Sequence, residues 1–214
     1  MLKKHSILLG ITVALLLLFV ATLQYPGGSQ YSSNSVGYDW QNNYISNLFS
    51  PKAVNGLSNT SRPWAICGML LLCASFTIFF ISFSKKIPSK LSADIIKYCG
   101  IGAMVFAFLA VTPFHDAGVT IASILIVISM FYIMVFVFTT KLHLLKILCT
   151  VCLLVSYCCN YMYYSRYHLD FLPIMQKIDL LIALVWVLCL QYFTAKDDFP
   201  TKNKKKVPQK EVGA

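Results

Sequence analysis

Six stretches of nearly continuous apolar residues, each close to the length of a bilayer crossing, decide what this chain can become. A helix rises 1.5 Å per residue and a bilayer hydrocarbon core is about 30 Å thick, so about 20 apolar residues cross it once. The runs lie near Ser6–Leu23, Trp64–Phe83, Ile95–Phe114, Gly118–Thr139, Leu144–Tyr164 and Leu172–Phe193. The third is interrupted at its start by Asp94, Lys97, Gly100 and Gly102 and closed by Pro113, but the charged hairpin Lys85–Lys97 and the pair His115-Asp116 frame it as a crossing. With 57% hydrophobic and 12% charged residues, there is too little charge to coat a soluble domain. The expected fold is an all-α membrane protein, a bundle of about six transmembrane helices in a single domain over residues 1–194. A basic tail without regular structure follows at 195–214.

The net charge of +10 suggests nucleic acid until its distribution is considered. With the N-terminus placed in the cytoplasm, 14 of the 18 Lys and Arg residues fall on inside segments. Only Lys52, Arg62, Arg166 and Lys177 fall outside. That asymmetry is the positive-inside pattern, and an even number of crossings returns the basic tail to the same side. The expected location is the plasma membrane, with both termini cytoplasmic; no soluble domain carries a nucleic-acid surface. Lys3-Lys4 before an apolar run also describes a cleavable signal, but Ala21-Thr22-Leu23-Gln24-Tyr25 offers no clear small-x-small cleavage site, which favours a retained first helix.

All eight cysteines lie within the proposed helices, so no disulfide framework is readable. Cys149-x-x-Cys152 has redox spacing but no relay cysteines on an aqueous side, and reads as packing. His5, His115, His143 and His168 stand at helix ends, a poor arrangement for haem. No cofactor is read from the sequence.

The connection between the first two crossings, residues 24–63, is much the longest, and loops of that length in compact proteins are functional or disordered. Within it Val36, Trp40, Tyr44 and Leu48 recur at i+4 opposite Asp39, Asn42, Asn43, Ser46 and Asn47. That spacing predicts a short amphipathic helix over Val36–Phe49, lying on the outer leaflet or capping the bundle. Asn59-Thr60-Ser61 in the same loop is a glycosylation sequon.

Along this topology the unusual polar residues gather on the outer side. The candidate ligand-binding residues are Asp39, Asn43 and Ser46 in the loop, His115 and Asp116 after the third crossing, Arg166 and His168 after the fifth, and Gln176 and Asp179 in the sixth. Asp179 is the most demanding, because a carboxylate well inside a membrane helix costs about 2.5–3.5 kcal/mol at the bilayer centre and less toward the interface. It calls for a partner such as Arg166 or Lys177, or for a ligand, ion or proton. His115, Asp116, His168 and Asp170 are enough ligands for a catalytic zinc, but no metal-type spacing supports one.

The segment Tyr38-Asp39-Trp40 through Asn43-Tyr44-Ile45-Ser46-Asn47-Leu48, in a loop after a first membrane helix, resembles a signature of the six-helix membrane family catalogued as domain of unknown function 998. The resemblance extends to Pro113-Phe114-His115-Asp116-Ala117 and Gln176-Lys177, and covers most of residues 6–193. Asn47 stands where that family commonly has an acidic residue, and Phe49 where it has glycine. The resemblance implies six helices and a functional outer face, and supplies no reaction.

These residues are consistent with an outward polar pocket for a small molecule or lipid. The alternatives are an intramembrane enzyme at the outer leaflet with metal-assisted hydrolysis, a small transporter, and a non-catalytic scaffold. The partners expected are the lipid bilayer and a lipid or small-molecule ligand.

Overall fold

The computed structural model describes residues 2–199. Its six long helices are α1 (Leu2–Leu23), α2 (Arg62–Ser84), α3 (Lys90–Leu109), α4 (His115–Phe138), α5 (His143–Ser165) and α6 (Leu172–Phe193). Each contains a stretch long and apolar enough to cross a membrane. Large apolar side chains such as Leu16, Phe19, Phe131, Ile147 and Leu181 stand exposed on their outer surfaces. Helices satisfy their own backbone hydrogen bonds, which is what a hydrocarbon solvent demands. The chain is therefore a polytopic integral membrane protein.

Successive helices pack side by side, and α6 returns against α2 and, thinly, against α1. Tyr192 Oη near the end of α6 lies 3.4 Å from His5 Nδ1 near the start of α1. Both ends of the six-helix unit thus meet at one face, the terminal face, while residues 24–61 cover the opposite loop face. α1 is integral to the bundle, with Ile7, Ile11 and Ala14 all within its buried core.

Helix boundaries follow local chemistry. Pro63 and Pro173 sit in the first turns of α2 and α6, where their missing N–H costs nothing. The third helix differs from the expected 95–114. It starts earlier because Ser89 caps it, accepting from the Ser92 N–H at 3.4 Å. It ends at Leu109 because Pro113 would clash with the Leu109 carbonyl four residues back. Thr112 Oγ1 instead donates to Leu109 O at 2.6 Å, and α4 begins at His115 rather than Gly118. Of the expected irregular tail, Lys196–Asp198 forms a 3₁₀ turn, and Phe199 is buried 5.8 Å from the Phe83 ring. Residues 200–214 lie outside the described residues.

Packing is tight in the terminal half. Phe79, Phe80, Phe83, Ile96, Ile133, Val137, Cys152, Val187 and Leu190 have no exposed surface. Trp186 stacks edge-on to Phe79 at 5.7 Å and donates to Cys149 Sγ at 3.2 Å. Lys86 Nζ caps α6 by donating to the carbonyls of Leu190, Gln191 and Thr194. All eight cysteines are free thiols, most of them buried or half-buried.

The loop does not form the expected amphipathic helix over Val36–Phe49; only Ile45–Phe49 is helical, as a short 3₁₀ segment. Side chains compete for the backbone there. Asp39 Oδ1 accepts from the N–H groups of Gln41 and Asn42, Asn43 Oδ1 from that of Asp39, and Asn47 Oδ1 from that of Tyr44. The i+4 apolar set is accordingly scattered, with Val36 96% exposed and Leu48 2%. What holds the loop is a set of buried amides. Asn43 Nδ2 donates to Gly28 O at 2.9 Å. Asn59 Nδ2 donates to the carbonyls of Asn47, Leu48 and Ser50 at 3.0, 3.3 and 2.8 Å. The sequon asparagine therefore spends inside the fold the nitrogen that a glycan would need. Lys177 Nζ on α6 donates to Asn43 O at 2.6 Å, tying the loop to the last helix.

Candidate functional site

The loop half of the bundle is hollow where the terminal half is packed. Three neighbouring spaces of about 410, 250 and 280 Å³ lie in succession from beside the loop inward, each sharing lining residues with the next. The mouth and middle share Ser46, Phe49, Ala110, Val111 and His115. The middle and floor share Met69, Ala107, Ala110 and Val119. Small side chains on α3 and at its C-cap create this space: Ala103, Ala107 and Ala110 line it where larger residues would close it.

Its polarity is graded. At the mouth stand Arg62, Ser46, Thr112 and His115. Arg62 Nε donates to Phe49 O at 3.1 Å, which fixes the side chain and leaves the rest of the guanidinium at the opening. The middle is mostly apolar, with Ser46, Tyr163 and Gln176 the polar exceptions beside His115. The floor presents Ser123, Ser156, Asn160 and Asp179, and beneath them the ring of Trp186. Ser156 Oγ donates to Asp179 Oδ1 at 2.6 Å, and Asn160 Nδ2 donates to Ser156 O at 2.8 Å. No cation pairs with Asp179 among the described residues.

The candidates named from sequence separate into groups. Ser46, His115, Gln176 and Asp179 line these adjoining spaces, at their mouth, middle and floor. Asp116 lies outside it with its side chain 85% exposed, accepting from Tyr163 Oη and from the Nδ1–H form of His115, both at 3.0 Å, and so orients two cavity residues. Asp39 and Asn43 are not at the cavity; they build the loop. Asn42, whose amide donates to Asp39 at 2.8 Å, holds the Asp39 carboxyl below its usual range together with backbone N–H groups. Burial raises the neighbouring Tyr38 hydroxyl above its ordinary value.

Arg166 and His168 also stand away from the cavity, exposed in the α5–α6 connection with left-handed φ of 57° and 54°. Arg166 lies over the Tyr163 ring at 5.5 Å, and the His168 ring packs edge-on to Tyr167 at 4.1 Å. Neither Arg166 nor Lys177 forms the expected pair with Asp179, whose partner is Ser156. The four residues considered for zinc are not brought together: among the described residues no group of three or more His, Cys, Asp or Glu converges.

Sequence reasoning missed Arg62, Ser156 and Asn160. The last two carried a signal, a polar pair at i and i+4 inside an otherwise apolar helix. Comparison with protein-family models, with curated proteins and with solved structures returns no match.

Proposed function

We propose that this protein binds an amphipathic small molecule or lipid in the central cavity, admitted from the loop face. The observation that carries this reading is a row of three adjoining spaces with polar groups at both ends and a mostly apolar middle. The apolar walls of the middle suit a hydrocarbon segment, and for a ligand arriving from water each methylene seated there gains about 0.8 kcal/mol. Arg62 at the mouth suits an anionic or hydrogen-bond-accepting group. Asp179 at the floor, held by a single hydroxyl, suits a hydrogen-bond donor or a cation. Resemblance to the six-helix family catalogued as domain of unknown function 998 fits the same architecture and adds no ligand.

Trp186 beneath the floor gives the test. In a Trp40→Phe/Trp64→Phe background it is the remaining tryptophan, and it is buried from lipid. A bromine-substituted long-chain amphiphile is expected to quench it saturably, and Ala107→Phe in the narrow middle to reduce that quenching at least several-fold. Quenching that is non-saturable, or unchanged by Ala107→Phe, would refute cavity binding.

We also propose that the loop face is extracytoplasmic, with both termini in the cytoplasm of a cell whose plasma membrane holds the protein. The uneven distribution of lysine and arginine supports this orientation. A protease site inserted at Ser33 is expected to be cut from outside intact cells; protection there, with cutting after lysis, reverses the orientation.

A further inference from the structure

We propose that the seam between α1 and α6 is a phospholipid-binding groove, separate from the central cavity, that seats one acyl chain between the helices and an anionic phosphate at Lys177. α1 and α6 touch only sparsely, and the gap between them has a volume of about 300 Å³. Leu15 and Phe19 of α1 and Leu181 and Leu184 of α6 form its walls. Its polar groups are confined to one end. Thr22 lies in the last turn of α1 and Lys177 in the second turn of α6, with Tyr38 and Trp40 of the loop beside them. Between Lys177 and Leu184 α6 descends about 10 Å, so the apolar trough runs from headgroup depth into the hydrocarbon core.

The chemistry at the upper end selects the occupant. Lys177 Nζ donates to the carbonyls of Asn43 and Pro173 at 2.6 and 2.9 Å and lies 5.6 Å from the centre of the Tyr38 ring. These partners fix the ammonium without neutralising it. An ammonium has three protons to give, and no carboxylate makes an ion pair with it among the described residues. Trp40, 56% exposed and edge-on to Tyr38 at 5.3 Å, is an aromatic side chain of the kind that favours the headgroup layer. A fixed cation with no directly bonded carboxylate, the Asp39 charge acting on it only from a distance, stands above a trough open to acyl chains and fits an anionic phospholipid of the loop-side leaflet. Leu18, Ile45 and Leu180 line both spaces and form the wall between groove and central cavity.

The test uses the full-length protein, delipidated in detergent, re-equilibrated with vesicles of equal phosphatidylglycerol and phosphatidylcholine, and examined by native mass spectrometry. One retained phosphatidylglycerol per chain is expected, preferred over phosphatidylcholine about fivefold. Leu181→Trp, which fills the trough without touching the loop, should remove the retained lipid while leaving the helical melting curve and Trp186 quenching by the brominated amphiphile unchanged. Those quenching measurements use the Trp40→Phe/Trp64→Phe background with Leu181→Phe as the filling residue. Lys177→Gln should keep a lipid and lose the preference. Equal retention of the two lipids by the unaltered protein overturns the phosphate site, and retention untouched by Leu181→Trp overturns the groove.

Discussion

Asn59→Ala is expected to destabilise the protein by about 2–4 kcal/mol, seen as an early transition when detergent-solubilised protein is melted and followed by tryptophan fluorescence. The side chain is 6% exposed and serves both sides of its amide. Its nitrogen feeds three carbonyls of the 47–50 turn, and its oxygen accepts from Ser61 N–H at 3.2 Å and Ser61 Oγ at 2.6 Å. Ser61 Oγ can still donate to Leu48 O, but alanine leaves the Asn47 and Ser50 carbonyls and the Ser61 N–H without this partner in a space with little water, where each unsatisfied group costs about 1–3 kcal/mol. Asn59→Asp replaces the donor with a second acceptor facing carbonyl oxygens and should be no better. A melting curve for Asn59→Ala that matches the unaltered protein would show the loop to be held by its other contacts.

A comparable loss is expected from Gly100→Leu. A Cβ at residue 100 would fall within the Phe80 ring, and that ring cannot retreat because it is fully buried, 5.1 Å from the Phe79 ring. Overpacking of a dense core costs about 1–3 kcal/mol, and a whole isobutyl group placed here lies at the upper end or beyond. Gly102→Ala is the control, since its Cβ would meet only the end of Leu125, a side chain able to turn aside. Thermal midpoints should fall for position 100 and stay near the original for position 102. Adding Phe80→Ala should restore part of the loss at position 100, and no recovery would place the strain elsewhere.

The helices were legible because membrane crossing is a one-dimensional property: length and apolarity suffice, and all six runs are helices in the structure. Boundaries were legible only where a local rule was applied strictly. Pro113 marked the end of α3, but its effect reaches four residues back to Leu109 rather than stopping at the proline itself. Val36–Phe49 failed as a helix for the reason that made it look amphipathic. Its polar face includes Asp39, Asn43 and Asn47, short side chains that bond nearby backbone and divert it into turns. For the site, sequence located Gln176 and Asp179 as polar residues inside an apolar helix, His115 at a helix end and Ser46 on the polar side of the loop. It did not find the cavity, because empty space comes from what is absent, as at Ala103, Ala107 and Ala110, and from which helices happen to face one another.

The bond from Lys177 to Asn43 carries a consequence for the order of assembly. A ribosome delivers the loop long before it delivers α6, with 134 positions separating the two partners. Until residue 177 has been synthesised and inserted, Asn43 O lacks its ammonium donor and the seam between the first and last helices has only one side. The loop can settle early on itself and on the start of α2, through Asn59, Ser61 and Arg62, but the ring of helices is latched only once α6 has been inserted.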